Sequence, residues 1–177
     1  MILDVLTFPN DILRKKSQPV EEITEDIVRL INNMTETMYS QKGLGLAAPQ
    51  VGVNKRVVVI DYTGGEEPDT LLQLINPEII AKDGEQFGDE GCLSIPGEYE
   101  KVRRYANVVL RALSPSGEQI EIEADGLLAR ACQHEIDHLD GVLFIDHLAP
   151  YKRDIVKKHI KKRMADGDYG TPADVKS

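Results

Sequence analysis

The chain has 177 residues, with 30 Asp/Glu against 21 Lys/Arg, a net charge of −9 at pH 7, and two cysteines. That length suits one well-buried domain rather than two; no repeat or long Pro/Gly/Ser linker divides it, and two cysteines do not make a disulfide framework. The opening Met1 to Pro9 has neither a basic start nor a long apolar run, which excludes a signal peptide or membrane span there and leads us to expect a cytoplasmic protein.

After Thr24, a suitable N-cap, Ile27, Leu30, Ile31, Met34 and Met38 recur at helical spacing, and Gly43 is expected to stop that helix just after Lys42. Arg56 to Tyr62, Leu71 to Ile75, Tyr105 to Leu113 and Glu118 to Ala124 read as strands, with Ser114-Pro115-Ser116-Gly117 turning between the last two. Between them, Asp89 to Pro96 reads as a Gly-flanked turn leading into a short extended stretch. Asp125-Gly126 then opens, and Gly141 closes, a buried amphipathic helix with Leu127, Leu128, Ala131, Cys132 and Leu139 as its apolar stripe.

A basic helix follows Pro150. Tyr151 to Met164 carries seven Lys/Arg against one acid, on a remainder of net charge −15, and its apolar positions are Ile155, Val156, Ile160 and Met164. Asp166 to Ser177 are polar, with Gly and Pro, and are expected to form a disordered tail.

The chemistry concentrates in His134-Glu135-Ile136-Asp137-His138. Two imidazoles four residues apart on a helix have Cβ atoms about 5–6 Å apart, so both rings can converge on one metal ion, with Glu135 beside them to handle protons. Metal-assisted hydrolysis is the chemistry this spacing suggests. A catalytic site of this kind takes three protein ligands and leaves one position to water. The third is missing downstream: no Glu follows Glu135, Phe144 stands where the extended pattern requires a histidine, His147 lies further on and His159 belongs to the basic helix. Of the two cysteines, Cys132 is about 200° around the helix from His134 and is expected to be a packing residue. Cys92 is therefore the expected third ligand.

Gly43-Leu44-Gly45-Leu46-Ala47-Ala48-Pro49-Gln50, Glu90-Gly91-Cys92-Leu93-Ser94-Ile95-Pro96 and Gln133-His134-Glu135-Ile136-Asp137-His138-Leu139 together resemble, in order and spacing, the three signature motifs of the bacterial peptide deformylases. The resemblance covers roughly residues 1–165, which then read as a single catalytic domain, with 166–177 as the tail. It implies a hydrolase that removes the N-formyl group from formyl-methionine on newly made polypeptides and releases formate. It also implies Cys92, His134 and His138 as metal ligands, Fe(II) as the usual metal with Zn, Ni or Co able to replace it, and Glu135 as general acid/base. Gln50 and the backbone N–H of Leu93 match the groups that stabilise the oxyanion, and Leu44 and Gly45 fall where the family contacts its peptide. Leu127 and Ala131, on the face of the histidines, are expected to wall an apolar cavity for the methionine side chain. Gly88 and Arg130 depart from the pattern, standing where bulkier or more apolar residues are expected near that cavity.

The expected fold is α+β, with antiparallel sheets packed around a central metal-binding helix, an N-terminal helix and a basic C-terminal helix. The resemblance implies a ribosome contact for that last helix, whose cations on an acidic body are drawn to RNA phosphate. Two other functions compete. One is an ordinary zinc endopeptidase; the other is an RNA-binding module with a purely structural metal, in which Glu90 would close the fourth position.

Overall fold

The computed structural model describes residues 1–170. In chain order, its regular elements are α1 (Glu25–Ser40), β1 (Gly45–Ala47), β2 (Val57–Ile60), β3 (Leu72–Asp83), β4 (Gln86–Cys92), β5 (Ile95–Arg104), β6 (Asn107–Leu113), β7 (Gln119–Asp125), α2 (Gly126–Leu139) and α3 (Pro150–Asp166). Five strands form one antiparallel sheet in the order β1-β2-β3-β6-β7, and β4 and β5 pair as a separate hairpin. The α+β expectation holds: α2 lies against the five-stranded sheet on one side and reaches the hairpin on the other, where Arg130 donates to the Val102 carbonyl at 2.9 Å.

The Val57-Val58-Val59-Ile60 run of β2 shows why the sheet is covered on both faces. Successive side chains of a strand point to opposite sides. Val57 and Val59 pack with Ile31, Met34 and Met38 of α1, whereas Val58 and Ile60 pack with Leu110, Cys132 and Leu139 on the α2 side. A strand buried on both faces reads as a continuous apolar run. Cys132 is thus a core residue, as expected from its offset on the helix.

Several boundaries differ from the sequence reading. Thr24 does cap α1, accepting from the Ile27 N–H at 3.4 Å, but the helix ends at Ser40. Lys42, with φ 57°, takes the left-handed position instead of Gly43. β3 runs eight residues past Ile75, through Asn76-Pro77, a pair that normally ends a strand. A register shift absorbs them, and the Asn76 side chain bonds both the N–H and the carbonyl of Val20, at 2.8 and 2.9 Å. The largest omission is the β4-β5 hairpin, where a turn and a short extended stretch were expected. Its first strand, Gln-Phe-Gly-Asp-Glu-Gly-Cys, is rich in residues depleted from strands.

α3 docks on this hairpin through Val156 and Ile160, which join Ile95, Val102 and Phe144. Ile155 and Met164, expected to be apolar contacts, are exposed, because one narrow stripe suffices to seat the helix. Asp166 belongs to α3 instead of a disordered tail, and the Tyr169 hydroxyl donates to the Ser94 carbonyl at 3.4 Å. The rest of the expected tail, 171–177, lies outside the described residues. Among the described residues, no helix is long and apolar enough to cross a membrane.

Candidate metal centre and catalytic cavity

Cys92 is the last residue of β4, at the mouth of a tight turn where it pairs with Ile95. This turn aims its sulfur at α2. The Cys92 Sγ lies 3.3 Å from His138 Nε2, which lies 3.2 Å from His134 Nε2, and all three ligand atoms fall within 4.8 Å of one another. A tetrahedral ion with metal–nitrogen bonds of about 2.0–2.1 Å and a metal–sulfur bond of about 2.3 Å sets edges of roughly 3.3–3.6 Å between its ligands. The cluster fits such an ion. One thiolate with two imidazoles is a donor set suited to first-row divalent metals.

Glu90 stands behind this cluster rather than in it. One of its oxygens is 2.8 Å from His134 Nδ1, the nitrogen facing away from the cluster, so it orients the ring and leaves Nε2 free to ligate. The same carboxylate accepts two 2.8 Å bonds from Arg104 and one of 2.6 Å from Arg130. With its oxygens engaged in this way, Glu90 does not supply the fourth ligand that a closed structural site requires. Burial alone would raise its pKa, but the bonds from Arg104 and His134 and their charge hold it well below the usual carboxylate range. Arg104 also reaches Asp137 at 2.6 Å.

Burial lowers the basicity of both imidazoles. For His138 the charges of His134 and Arg104 push the same way, leaving its pKa well below the ordinary value, whereas bonds to Cys92 and Glu90 raise that of His134.

The three sequence motifs meet at this point, and their glycines explain how. A Cβ on Gly43 would stand 2.8 Å from the Leu93 side chain, and one on Gly45 would stand 2.8 Å from Glu135 Oε1. At Gly45 an added Cβ would overlap Glu135 from Cγ to the carboxyl, so glycine is needed there for close approach and not for an unusual φ, whereas at Gly43 it would meet the tip of Leu93. Glu135 is buried, its Oε2 has no hydrogen-bond partner, and its pKa is pushed up to about 7, chiefly by burial. Gln50, in a short turn after β1, has its Oε1 fixed by the Ala47 N–H at 2.9 Å. Its Nε2 therefore points to the site, 3.1 Å from Ser94 Oγ and 3.7 Å from Cys92 Sγ.

These groups border a cavity of about 390 Å³. Leu44, Gly45, Gln50, Cys92 and Leu93 line it together with Leu127, Ala131, His134 and Glu135 of α2. His138 lies deeper. Every expected site residue is thus at or directly behind one cavity. Leu127 corrects one detail: it was expected in a buried stripe but is 49% exposed, on the lining of the cavity.

Sequence reasoning missed Arg104 altogether, and saw Arg130 only as a departure. Charged residues ordinarily lie at the surface, and nothing local marks these two as buried partners of Glu90. The Pro96 carbonyl, in the cavity wall, accepts from Arg163 of α3 at 2.8 Å, a link invisible in sequence.

The family model for polypeptide deformylase matches residues 2–154. The chain belongs to the polypeptide deformylase family. A peptide deformylase from Thermodesulfovibrio yellowstonii is 49% identical over 162 residues, covering 92% of this chain and 98% of the relative. One from Syntrophobacter fumaroxidans is 50% identical over 163 residues, with 92% and 96% covered. The crystal structure of the Legionella pneumophila deformylase superimposes with a TM-score of 0.88 at 44% identity, covering 93% of this chain and 96% of that one. That of the Ehrlichia chaffeensis deformylase in complex with actinonin gives 0.84 at 37%, with 92% and 97% covered. Family membership agrees with the resemblance carried by the three motifs.

Proposed function

We propose that this chain carries out its family's reaction, hydrolysis of the N-formyl group from formyl-methionine at the start of newly made polypeptides. In this reading Cys92, His134 and His138 hold the metal, Glu135 moves the protons, and Gln50 with the Leu93 amide binds the oxyanion. The observation that supports it most is the convergence of the thiol, two imidazoles, a buried carboxyl and an amide donor on one cavity. When bound, the metal supplies Lewis acidity that makes a water nucleophilic near neutral pH.

Glu135 accepts the water's proton on Oε2, the oxygen without a partner, and a carboxyl held near pH 7 can both take and return it. As oxygen adds to the formyl carbon, charge grows on the formyl oxygen. Gln50 Nε2 and the Leu93 N–H face that charge, a preorganised donor of this kind being worth about 3–4 kcal/mol. The C–N bond then breaks, Glu135 gives its proton to the departing amine, and formate and a free N-terminus result. Leu127 and Ala131 wall the methionine side chain, while Leu44 and Gly45 run beside the peptide.

The test is formate release from a formyl-Met peptide by anaerobically prepared protein, with an unformylated peptide offered for internal cleavage. Release of formate without internal cleavage separates this reading from a zinc endopeptidase. Glu135→Gln should keep its metal and lose most turnover; a metal-free, folded variant would reassign Glu135 as a ligand. Fe(II) is the metal we propose, on family grounds, with Zn, Ni or Co as substitutes. Activity that decays in air and is preserved by Ni supports iron, since an exposed Fe–thiolate centre is open to oxidation.

Residues 1–165 are read as a single catalytic domain working in the cytoplasm, where new chains are made. For ribosome docking, Lys157, Lys158, Lys161 and Lys162 form the exposed cationic side of α3. Reversing these four to Glu should weaken ribosome co-sedimentation in a salt-dependent way. Deleting the helix is the poorer test, because it also removes Arg163 from the Pro96 carbonyl in the cavity wall.

A further inference from the structure

The turn Leu93-Ser94, between Cys92 and its pair Ile95, carries the Leu93 N–H and seats Ser94 Oγ 3.1 Å from Gln50 Nε2. Its own sequence does little to hold it. Two-residue hairpin turns are favoured when a residue in them takes a positive φ, because that twist matches the strands; neither Leu93 nor Ser94 does. The ladder shifts register between Glu90 and Cys92, and Pro96 has no N–H to give it. Support comes instead from segments distant in the chain. The Ser94 carbonyl accepts from the Phe8 N–H at 2.7 Å and from the Tyr169 hydroxyl at 3.4 Å, and the Pro96 carbonyl accepts from Arg163 Nη1 at 2.8 Å. Arg163 and Tyr169 form one unit: the guanidinium lies 5.5 Å from the Tyr169 ring centre and donates to the Asp168 carbonyl at 3.3 Å.

We propose that Arg163, with Tyr169 against it, is a positioning residue for catalysis. By holding the Pro96 and Ser94 carbonyls, the C-terminal end of α3 sets where the Leu93 N–H and the Gln50 amide meet the formyl oxygen. The inference rests on the deformylase reading of the cavity. An oxyanion donor is effective when it is preorganised where the charge will develop, and a displacement of about 1 Å can cost about 100-fold in rate. The walls proposed for the methionine side chain, Leu127 and Ala131, belong to α2 instead. Loosening the turn should therefore fall on kcat rather than KM. Seating α3 does not depend on Arg163, since Val156 and Ile160 pack with Ile95 in one apolar cluster.

The experiment measures kcat and KM on a formyl-Met peptide, per bound metal, for the wild type, Arg163→Met, Arg163→Lys and Tyr169→Phe, with metal content and urea midpoint recorded for each. Arg163→Met should lose about 10- to 100-fold in kcat, while KM stays within about threefold. Arg163→Lys, whose ammonium can still donate to the Pro96 carbonyl, should recover most of that loss, and Tyr169→Phe, which removes the longer bond, should lose less than Arg163→Met. A second readout is independent of turnover: in the zinc-loaded proteins the Leu93 and Ser94 amide NMR signals should move in Arg163→Met and return in Arg163→Lys, while those of α2 stay in place. A purely structural role would lower the urea midpoint or the metal content and leave kcat per bound metal and the turn signals unchanged, which overturns the proposal. So does a loss carried by KM alone, or one that lysine fails to restore. A wild type inactive on the formyl-Met peptide would instead overturn the deformylase reading, with the NMR comparison still deciding whether Arg163 holds the turn.

Discussion

Glu90 and Asp61 are both buried carboxylates, and their neighbours keep them ionised by different means. Glu90 meets cations, with Arg104 and Arg130 donating to it and His134 beside it. Asp61, just after β2, meets neutral donors: the Tyr39 hydroxyl at 2.6 Å, the Thr63 and Thr70 hydroxyls at 2.8 Å each, and the Thr63 N–H at 3.0 Å. In both, burial pushes the pKa up and hydrogen bonds bring it below the usual value. Tyr39 answers in kind, pushed up to about 12 by burial and by its bond to Asp61.

The two hubs tolerate loss differently. Hydroxyls left by Asp61 can turn to each other, Thr63 Oγ1 and Thr70 Oγ1 being only 3.1 Å apart. Of the guanidiniums left by Glu90, Arg104 keeps the Asp137 carboxylate at 2.6 Å, but Arg130 keeps only the Val102 carbonyl, and an uncompensated buried charge keeps its full desolvation cost. Glu90 also orients His134, so its loss reaches the proposed metal site, whereas the Asp61 hub ties the Thr63–Thr70 loop to Tyr39 of α1.

The largest effect should come from Glu90→Ala, which removes the partner of two buried arginines. We expect a destabilisation of about 3–5 kcal/mol in denaturant unfolding, with metal affinity reduced about 10- to 100-fold through the freed His134. If the variant unfolds no earlier than the corresponding Asp61→Ala protein, the distinction between cations and hydroxyls fails. Next, Asp61→Asn should cost about 1–3 kcal/mol and leave metal content unchanged; lost metal would mean that the two hubs are coupled.

Acid sharpens the contrast. A carboxylate whose folded pKa is depressed adds stability above its unfolded pKa, near 4, and that contribution fades as pH falls through the folded value. The stability gap between wild type and Asp61→Asn should therefore stay constant from about pH 7 to 5 and shrink below about pH 4, as read from urea midpoints. A gap that widens on acidification would reverse the sign of the Asp61 shift. The smallest effect is expected for Tyr39→Phe, which removes one of Asp61's hydrogen bonds and should cost about 0.5–1.5 kcal/mol, with a loss beyond that of Asp61→Asn contradicting the hub.

The sequence by itself determined the elements whose pattern is local. The period of Ile27 to Met38 marks α1, the unbroken valines mark β2, and the four-residue spacing of His134 and His138 places both rings on one face of α2. Elimination brought Cys92 to them, and the geometry agrees, because a missing ligand is a fact of composition that needs no coordinates. Tertiary structure alone decided what depends on residues far apart in the chain. The strands β4 and β5 carry little strand propensity of their own and are held by α2 and α3, so their sequence does not announce them. Gly45 looks like a turn residue until Glu135 is found where its Cβ would be. Arg104 and Arg130 look like surface charges until Glu90 is found between them. Leu127 carries the right helical phase, but phase does not say what covers a side chain, and Leu127 stays half exposed on the cavity lining. Local periodicity records which way a side chain points along its own element; what waits there is set by packing between distant segments.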